Sequence, residues 1–139
     1  MKRILIVDDN LVAVRALTMK LQASGYEVIT AEDGAGAVST VRTQQPDLVL
    51  LDISFPPDVA HGGGVPWDGF LIMSWLNRME EARGIPIIIL TGSNSPEHEQ
   101  RAYRLGAVGY FHKDVDLDQL VAGIREVLGE TVEASPAQT

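Results

Sequence analysis

The sequence predicts an α/β fold: a parallel sheet with helices on both of its faces. Three observations carry that expectation. Short aliphatic runs alternate five times with segments of helical apolar spacing along the 139 residues, the pattern of repeated strand and crossover-helix units. Two of those runs, Leu48-Val49-Leu50-Leu51 and Ile87-Ile88-Ile89-Leu90, are apolar without alternation, as strands covered on both faces are. Polar residues arrive where strands stop, at the carboxyl edge where open parallel sheets bind ligands.

Residues 2–7 form the first strand, broken at Asp8-Asp9-Asn10. Ala13, Leu17 and Leu21 then recur at helical spacing until Ser24-Gly25 ends the helix. Tyr26 to Thr30 alternates like a half-buried strand, and Asp33 offers a cap for a helix whose inner face is Ala37, Val38 and Val41. Gln45-Pro46 stops that helix, because the residue before proline disfavours the α region. Asp47 to Asp52 is the third strand. Residues 53–66 hold three prolines and Gly62-Gly63-Gly64 without periodicity, a connection longer than most in compact domains. From about Trp67 a helix follows, with Leu71, Trp75, Met79 and Ala82 as its repeat and Arg83-Gly84 as its stop; Trp75 is expected in the core and Trp67 at a partner contact.

Pro86 to Thr91 is the fourth strand. Ser95-Pro96-Glu97 then opens a helix as cap, first-turn proline and acidic first turn. Val108 to Lys113 is the fifth strand. Asp116 with Gln119 begins the last helix, whose stripe is Leu117, Leu120, Val121, Ile124, Val127 and Leu128. Gly129 ends it, and residues 130–139 read as a polar tail to a single domain at 1–129.

Composition narrows the function. There is no cysteine, so disulfides, thiolate metal sites and a thiol nucleophile are excluded, which fits a reducing cytoplasm. Eleven basic residues against 19 acidic ones give a net charge of −8, unsuited to direct nucleic-acid binding. No apolar run approaches the ~20 residues of a membrane span. The glycine triplet lacks the Lys-Ser/Thr of a phosphate-binding P-loop. His61, His98 and His112 fall in three elements without metal-ligand spacing and are expected to be surface or packing residues.

Four strand ends carry reactive groups: Asp8-Asp9, Asp52, Thr91 and Lys113. Each has an ordinary alternative. An aspartate past a strand commonly caps a helix, a threonine there is a common β-branched residue, and a terminal lysine often keeps its head in water. Asp52 is harder to dismiss, because a charge directly after four aliphatics is costly without a partner. If strands one, three, four and five are neighbours, these ends meet in one pocket.

On Ile6-Val7-Asp8-Asp9-Asn10, Leu50-Leu51-Asp52 with Phe55-Pro56 and Asp68-Gly69, Leu90-Thr91-Gly92, and Gly106-Ala107-Val108-Gly109-Tyr110 leading to Lys113, the chain resembles the receiver domain of two-component response regulators. That resemblance covers residues 1–129. It implies a flavodoxin-like (βα)5 fold with strand order 2-1-3-4-5. It further implies Asp52 as phosphoacceptor, Mg²⁺ (or Mn²⁺) held by Asp8, Asp9, Asp52 and the backbone carbonyl of Ser54, and Thr91 and Lys113 as phosphoryl ligands. Thr91 and Tyr110 would form the switch. The implied partners are a sensor histidine kinase or a histidine phosphotransfer protein, and a downstream protein at the face of the fourth helix, fifth strand and fifth helix; a homodimer, at no assigned face, is a further option.

Two departures from that family stand out. Asp114 follows Lys113 where proline is usual; a cis bond there would cost about 3 kcal/mol, so a trans bond is expected, with Asp114 competing for the lysine. The loop between Pro56 and Asp68 is also longer than usual, suiting a lid over the site or a kinase contact. Other readings are a phosphorylation-independent interaction scaffold, a phosphoesterase using Asp52 as nucleophile, which has no assigned general acid, and FMN binding, which the carboxylates oppose.

Overall fold

The computed structural model describes residues 2–53, 69–92 and 95–129. The strands are β1 (Arg3–Val7), β2 (Glu27–Ala31), β3 (Leu48–Leu51), β4 (Ile87–Thr91) and β5 (Gly109–His112). The helices between and after them are α1 (Leu11–Ala23), α2 (Gly34–Gln44), α3 (Gly69–Asn77), α4 (Pro96–Arg104) and α5 (Leu117–Val127), with a 3₁₀ turn at Glu80–Ala82 ahead of β4. All pairings are parallel and the order is β2-β1-β3-β4-β5, the flavodoxin-like order.

Because successive strand side chains point to opposite faces, the same strands supply two separate apolar layers. Leu5, Val7, Val49, Leu51, Ile87 and Ile89 pack under α2, α3 and α4, against Val41, Met73 and Ala102 among others. Ile4, Ile6, Leu48, Leu50, Ile88 and Leu90 pack under α1 and α5, against Leu17, Leu21, Leu120, Val121 and Ile124. The unbroken aliphatic runs therefore belong to strands sandwiched between helices. β2 lies at an edge, and its Val28 and Ile29 pack only partly, one into each layer.

Helix starts follow side-chain oxygens that accept otherwise unpaired backbone N–H groups. Asp33 accepts from Gly36 N at 2.7 Å, Ser95 from His98 N at 3.3 Å, and Asp116 from Asp118 N at 2.9 Å. For α1 the cap is Asn10, which accepts from Val12 N and Ala13 N. The aspartates before it are left for other work. α2 ends where expected, with Gln45 turned into the left-handed region at φ 47° ahead of Pro46.

α3 corrects the sequence reading. Its buried face is Gly69, Phe70, Ile72, Met73 and Leu76, while Leu71 and Trp75 are only partly covered. All residues of this helix except Ser74 and Asn77 are glycine or apolar, so hydrophobicity alone sets no phase, and the buried face lies one position away from the Leu71-Trp75 face that the sequence spacing predicts. The helix also stops at Asn77; Met79 is already extended, and it and Ala82 pack on the core from the 3₁₀ segment. Trp67, His61, the tail at 130–139 and the loop at 53–66 after Ile53 lie outside the described residues.

Gly69 is where the fold touches the end of β3. A Cβ placed there would come within 2.3 Å of Ile53 Cα and 2.8 Å of the Asp52 carbonyl oxygen. Only a hydrogen side chain fits without moving the backbone next to Asp52. Gly69→Ala is therefore expected to destabilise the protein by about 1–3 kcal/mol, the scale of an overpacked core. Chemical denaturation measures the loss, and a loss below ~0.5 kcal/mol would show that this contact relaxes freely.

Candidate functional site

Parallel register decides which polar residues meet. Val7 and Leu51 are partners across β1 and β3, and Asp52 N donates to Val7 O at 3.0 Å, so Asp8 and Asp52 leave neighbouring strands at the same level. Thr91 ends β4. Lys113 follows β5, its N–H donating to Thr91 O at 2.8 Å. The four strand ends named in the sequence thus share the carboxyl edge of the sheet.

Asp8 and Asp52 are buried, at 2% and 5% exposure, and Asp9 is exposed. Carboxylate oxygens of all three lie within 4.8 Å of one another. Lys113 Nζ reaches between two of them, 2.8 Å from Asp8 Oδ2 and 3.1 Å from Asp52 Oδ2. Asp8 also accepts from Asn10 N at 2.9 Å. One ammonium stands against three carboxylates, so the cluster is short of positive charge.

The titration directions fit that shortage. Burial pushes the Asp8 carboxyl above its ordinary value, and the neighbouring Asp52 charge adds to it; hydrogen bonds from Lys113 and Asn10 only partly offset the rise. For Lys113 burial alone would lower the pKa, but the hydrogen bonds and charges of Asp8 and Asp52 outweigh it and hold the ammonium above its usual value.

Thr91 is fully buried at the strand end. Tyr110 is half-buried and packs on the layer beneath α2, α3 and α4. Ser54 lies outside the described residues. Asp114 does not compete for Lys113: its carboxylate lies 3.3 Å from His112 Nδ1, and its backbone N–H bonds that same nitrogen at 3.2 Å. No cis peptide bond occurs among the described residues. Sequence reasoning set His112 aside, because a lone histidine at a strand end carries no signal until the loops around it are placed.

The comparisons with known proteins follow this geometry. Residues 4–125 match the model of the response regulator receiver domain. The chain belongs to that family. Among curated relatives, the polar-differentiation response regulator DivK of Brucella ovis is 31% identical over 129 residues, covering 93% of this chain and 98% of its own. Protein PilH of Pseudomonas aeruginosa is 36% identical, covering 92% and 98%. A CheY-like receiver domain from Methanospirillum hungatei superposes with a TM-score of 0.80 at 27% identity, covering 93% of this chain and 94% of its own. The chemotaxis protein CheY4 of Vibrio cholerae gives 0.79 at 28%, covering 91% and 98%. This receiver domain therefore shares its fold with signalling switches along nearly its whole length.

Opposite stability effects are expected at the two ends of the Lys113 contact. Because the Asp8 pKa is raised on folding, its ionisation costs stability, and the cost grows as pH rises through the folded pKa. Without metal, Asp8→Asn should therefore be more stable than wild type at pH 7, the gain fading toward about pH 4, where the unfolded carboxyl is also protonated. The raised Lys113 pKa contributes stability that persists below its unfolded value and is lost only in strong alkali. Lys113→Met should cost roughly 2–3 kcal/mol at pH 7, less than a fully buried pair because the lysine is partly exposed. Denaturation in EDTA across pH 4–8 checks both signs, and a destabilised Asp8→Asn at pH 7 would reverse this assignment of charge balance.

Proposed function

We propose that Asp52 accepts a phosphoryl group from a phosphohistidine of a sensor kinase or a phosphotransfer protein, and that the domain signals the change to a protein partner. The observation that carries this reading is the buried Asp52 carboxylate, aimed with Asp8 and Asp9 at one point and held by one lysine. Such a group is positioned, desolvated and close to a cation, which is what an in-line nucleophile for phosphorus needs. An Asp52 oxygen attacks phosphorus as the phosphorus–nitrogen bond breaks, and the electron pair leaves on the imidazole of the donor. An acyl phosphate remains.

Lys113 is suited to turn its ammonium from the Asp52 carboxylate to a phosphoryl oxygen, as a compact charge on a flexible stem. The Thr91 hydroxyl, on the adjoining strand end, is the donor for a second oxygen. The donor set of Asp8, Asp9 and Asp52 is all carboxylate oxygen, which fits Mg²⁺ or Mn²⁺ and no softer ion. When bound, the divalent ion supplies neutralisation of the charge that gathers on the phosphoryl oxygens.

The acyl phosphate carries about −2 charge at the carboxyl end of β3, where the free Asp52 carboxylate carried about −1. Thr91 begins the connection to α4 and Tyr110 lies on β5, so a shift of Thr91 toward the phosphoryl group acts on the face of α4, β5 and α5. That face is the proposed contact for the downstream protein.

Intact mass after incubation with acetyl phosphate or phosphoramidate tests this reading. Wild type with Mg²⁺ should gain one phosphoryl group, and neither the sample in EDTA nor Asp52→Asn should gain any. Equal labelling of Asp52→Asn would move the acceptor elsewhere. No labelling of wild type by small donors or by phosphohistidine donors would favour a phosphorylation-independent scaffold.

A further inference from the structure

Thr91 ends β4 and Lys113 begins the turn after β5, so whatever ties these two chain segments together sets the distance between them. His112 is placed to do this. Thr91 and His112 are partners across the β4-β5 ladder, and beyond that rung the backbone supplies one more bond, from Lys113 N to Thr91 O. Past it the two chains part, one toward α4 and the other toward α5. The imidazole spans the gap, with Nε2 3.2 Å from the Gly92 carbonyl oxygen, and Nδ1 3.2 Å from the Asp114 amide nitrogen and 3.3 Å from the Asp114 carboxylate.

The chemistry of these partners fixes one proton. A carbonyl oxygen only accepts, so Nε2 carries hydrogen and donates to Gly92. In the neutral ring Nδ1 accepts from the Asp114 N–H; in the imidazolium, Nδ1–H turns to the Asp114 carboxylate instead. The bond to Gly92 is the same in both states. A proline at position 114 would offer neither an N–H nor a carboxylate to the ring.

We propose that His112 is a positioning residue for phosphoryl transfer: by holding the Gly92 carbonyl it keeps the Thr91 end of β4 and the turn at Lys113 in one frame around Asp52. The inference rests on the phosphoacceptor reading above. His112 acts through Thr91 and Lys113 and not on the reacting atoms.

Three variants of the full chain separate this role from simple packing. His112→Gln carries an amide N–H where Nε2 stands and keeps the reach to Gly92. His112→Asn is too short for that bond but can still face the Asp114 amide. His112→Ala keeps neither. With phosphoramidate and Mg²⁺, the rate of mass gain at saturating donor should fall roughly fivefold in the Asn and Ala variants, the scale of one net hydrogen bond. The donor concentration for half-maximal rate should hardly change, and Gln should recover most of the rate. Equal rates in the Gln and Asn variants overturn the inference even if Ala does not fold, and an undiminished Ala variant does the same. In both cases labelling of wild type leaves the acceptor reading standing. Failure of wild type to label overturns that reading and this inference with it.

Discussion

Everything at the carboxyl edge follows from a charge imbalance that the sheet imposes. Parallel pairing of β1 with β3 puts the residues after Val7 and Leu51 side by side, and both are aspartates with almost no access to water. Asp9 adds a third carboxylate. Lys113 arrives from β5, two strands away from Asp52, and is the only cation bonded to the pair among the described residues. Burial raises the pKa of Asp8 although it holds that lysine, and the two acids raise the pKa of Lys113 although it is partly buried. The first direction is set mainly by loss of water around Asp8, the second by the negative charge around Lys113.

The apolar interior makes that charge imbalance tolerable. Residues on β1, β3 and β4 alternate between two packed layers, so the strands have little freedom to slide or splay and their ends stay in register. Gly69 extends the constraint past the strand, because α3 begins in contact with the backbone of Asp52 and Ile53. The packed scaffold therefore holds the carboxylates close together although they repel.

Much of this was legible in the sequence because local chemistry and tertiary role agree. Unbroken aliphatic runs marked β3 and β4, caps at Asp33, Ser95 and Asp116 marked helix starts, and the charged residues at strand ends marked the site. The strand order came through family resemblance, since alternation of elements alone leaves several orders open. Three features were hidden for physical reasons. α3 is apolar almost all round, so its buried face is chosen by the sheet beneath it, and Trp75 ended only partly covered. Asn10 takes the cap of α1, which no pattern in Asp8-Asp9-Asn10 distinguishes. His112 bonds both its near neighbour Asp114 and Gly92, and the contact with Gly92 exists only once β4 and β5 lie side by side.

The measurement that bears most directly on the shared acidic site is a Mg²⁺ titration of folding stability, starting from EDTA, on wild type, Asp52→Asn and Asp9→Asn. Crowded carboxylates that await a cation should make metal-free Asp52→Asn more stable than wild type, and a ligand that binds only the folded state should raise the stability of wild type as Mg²⁺ is added. The rise should be much smaller in both variants. Equal rises in all three proteins would contradict a single site built from Asp8, Asp9 and Asp52.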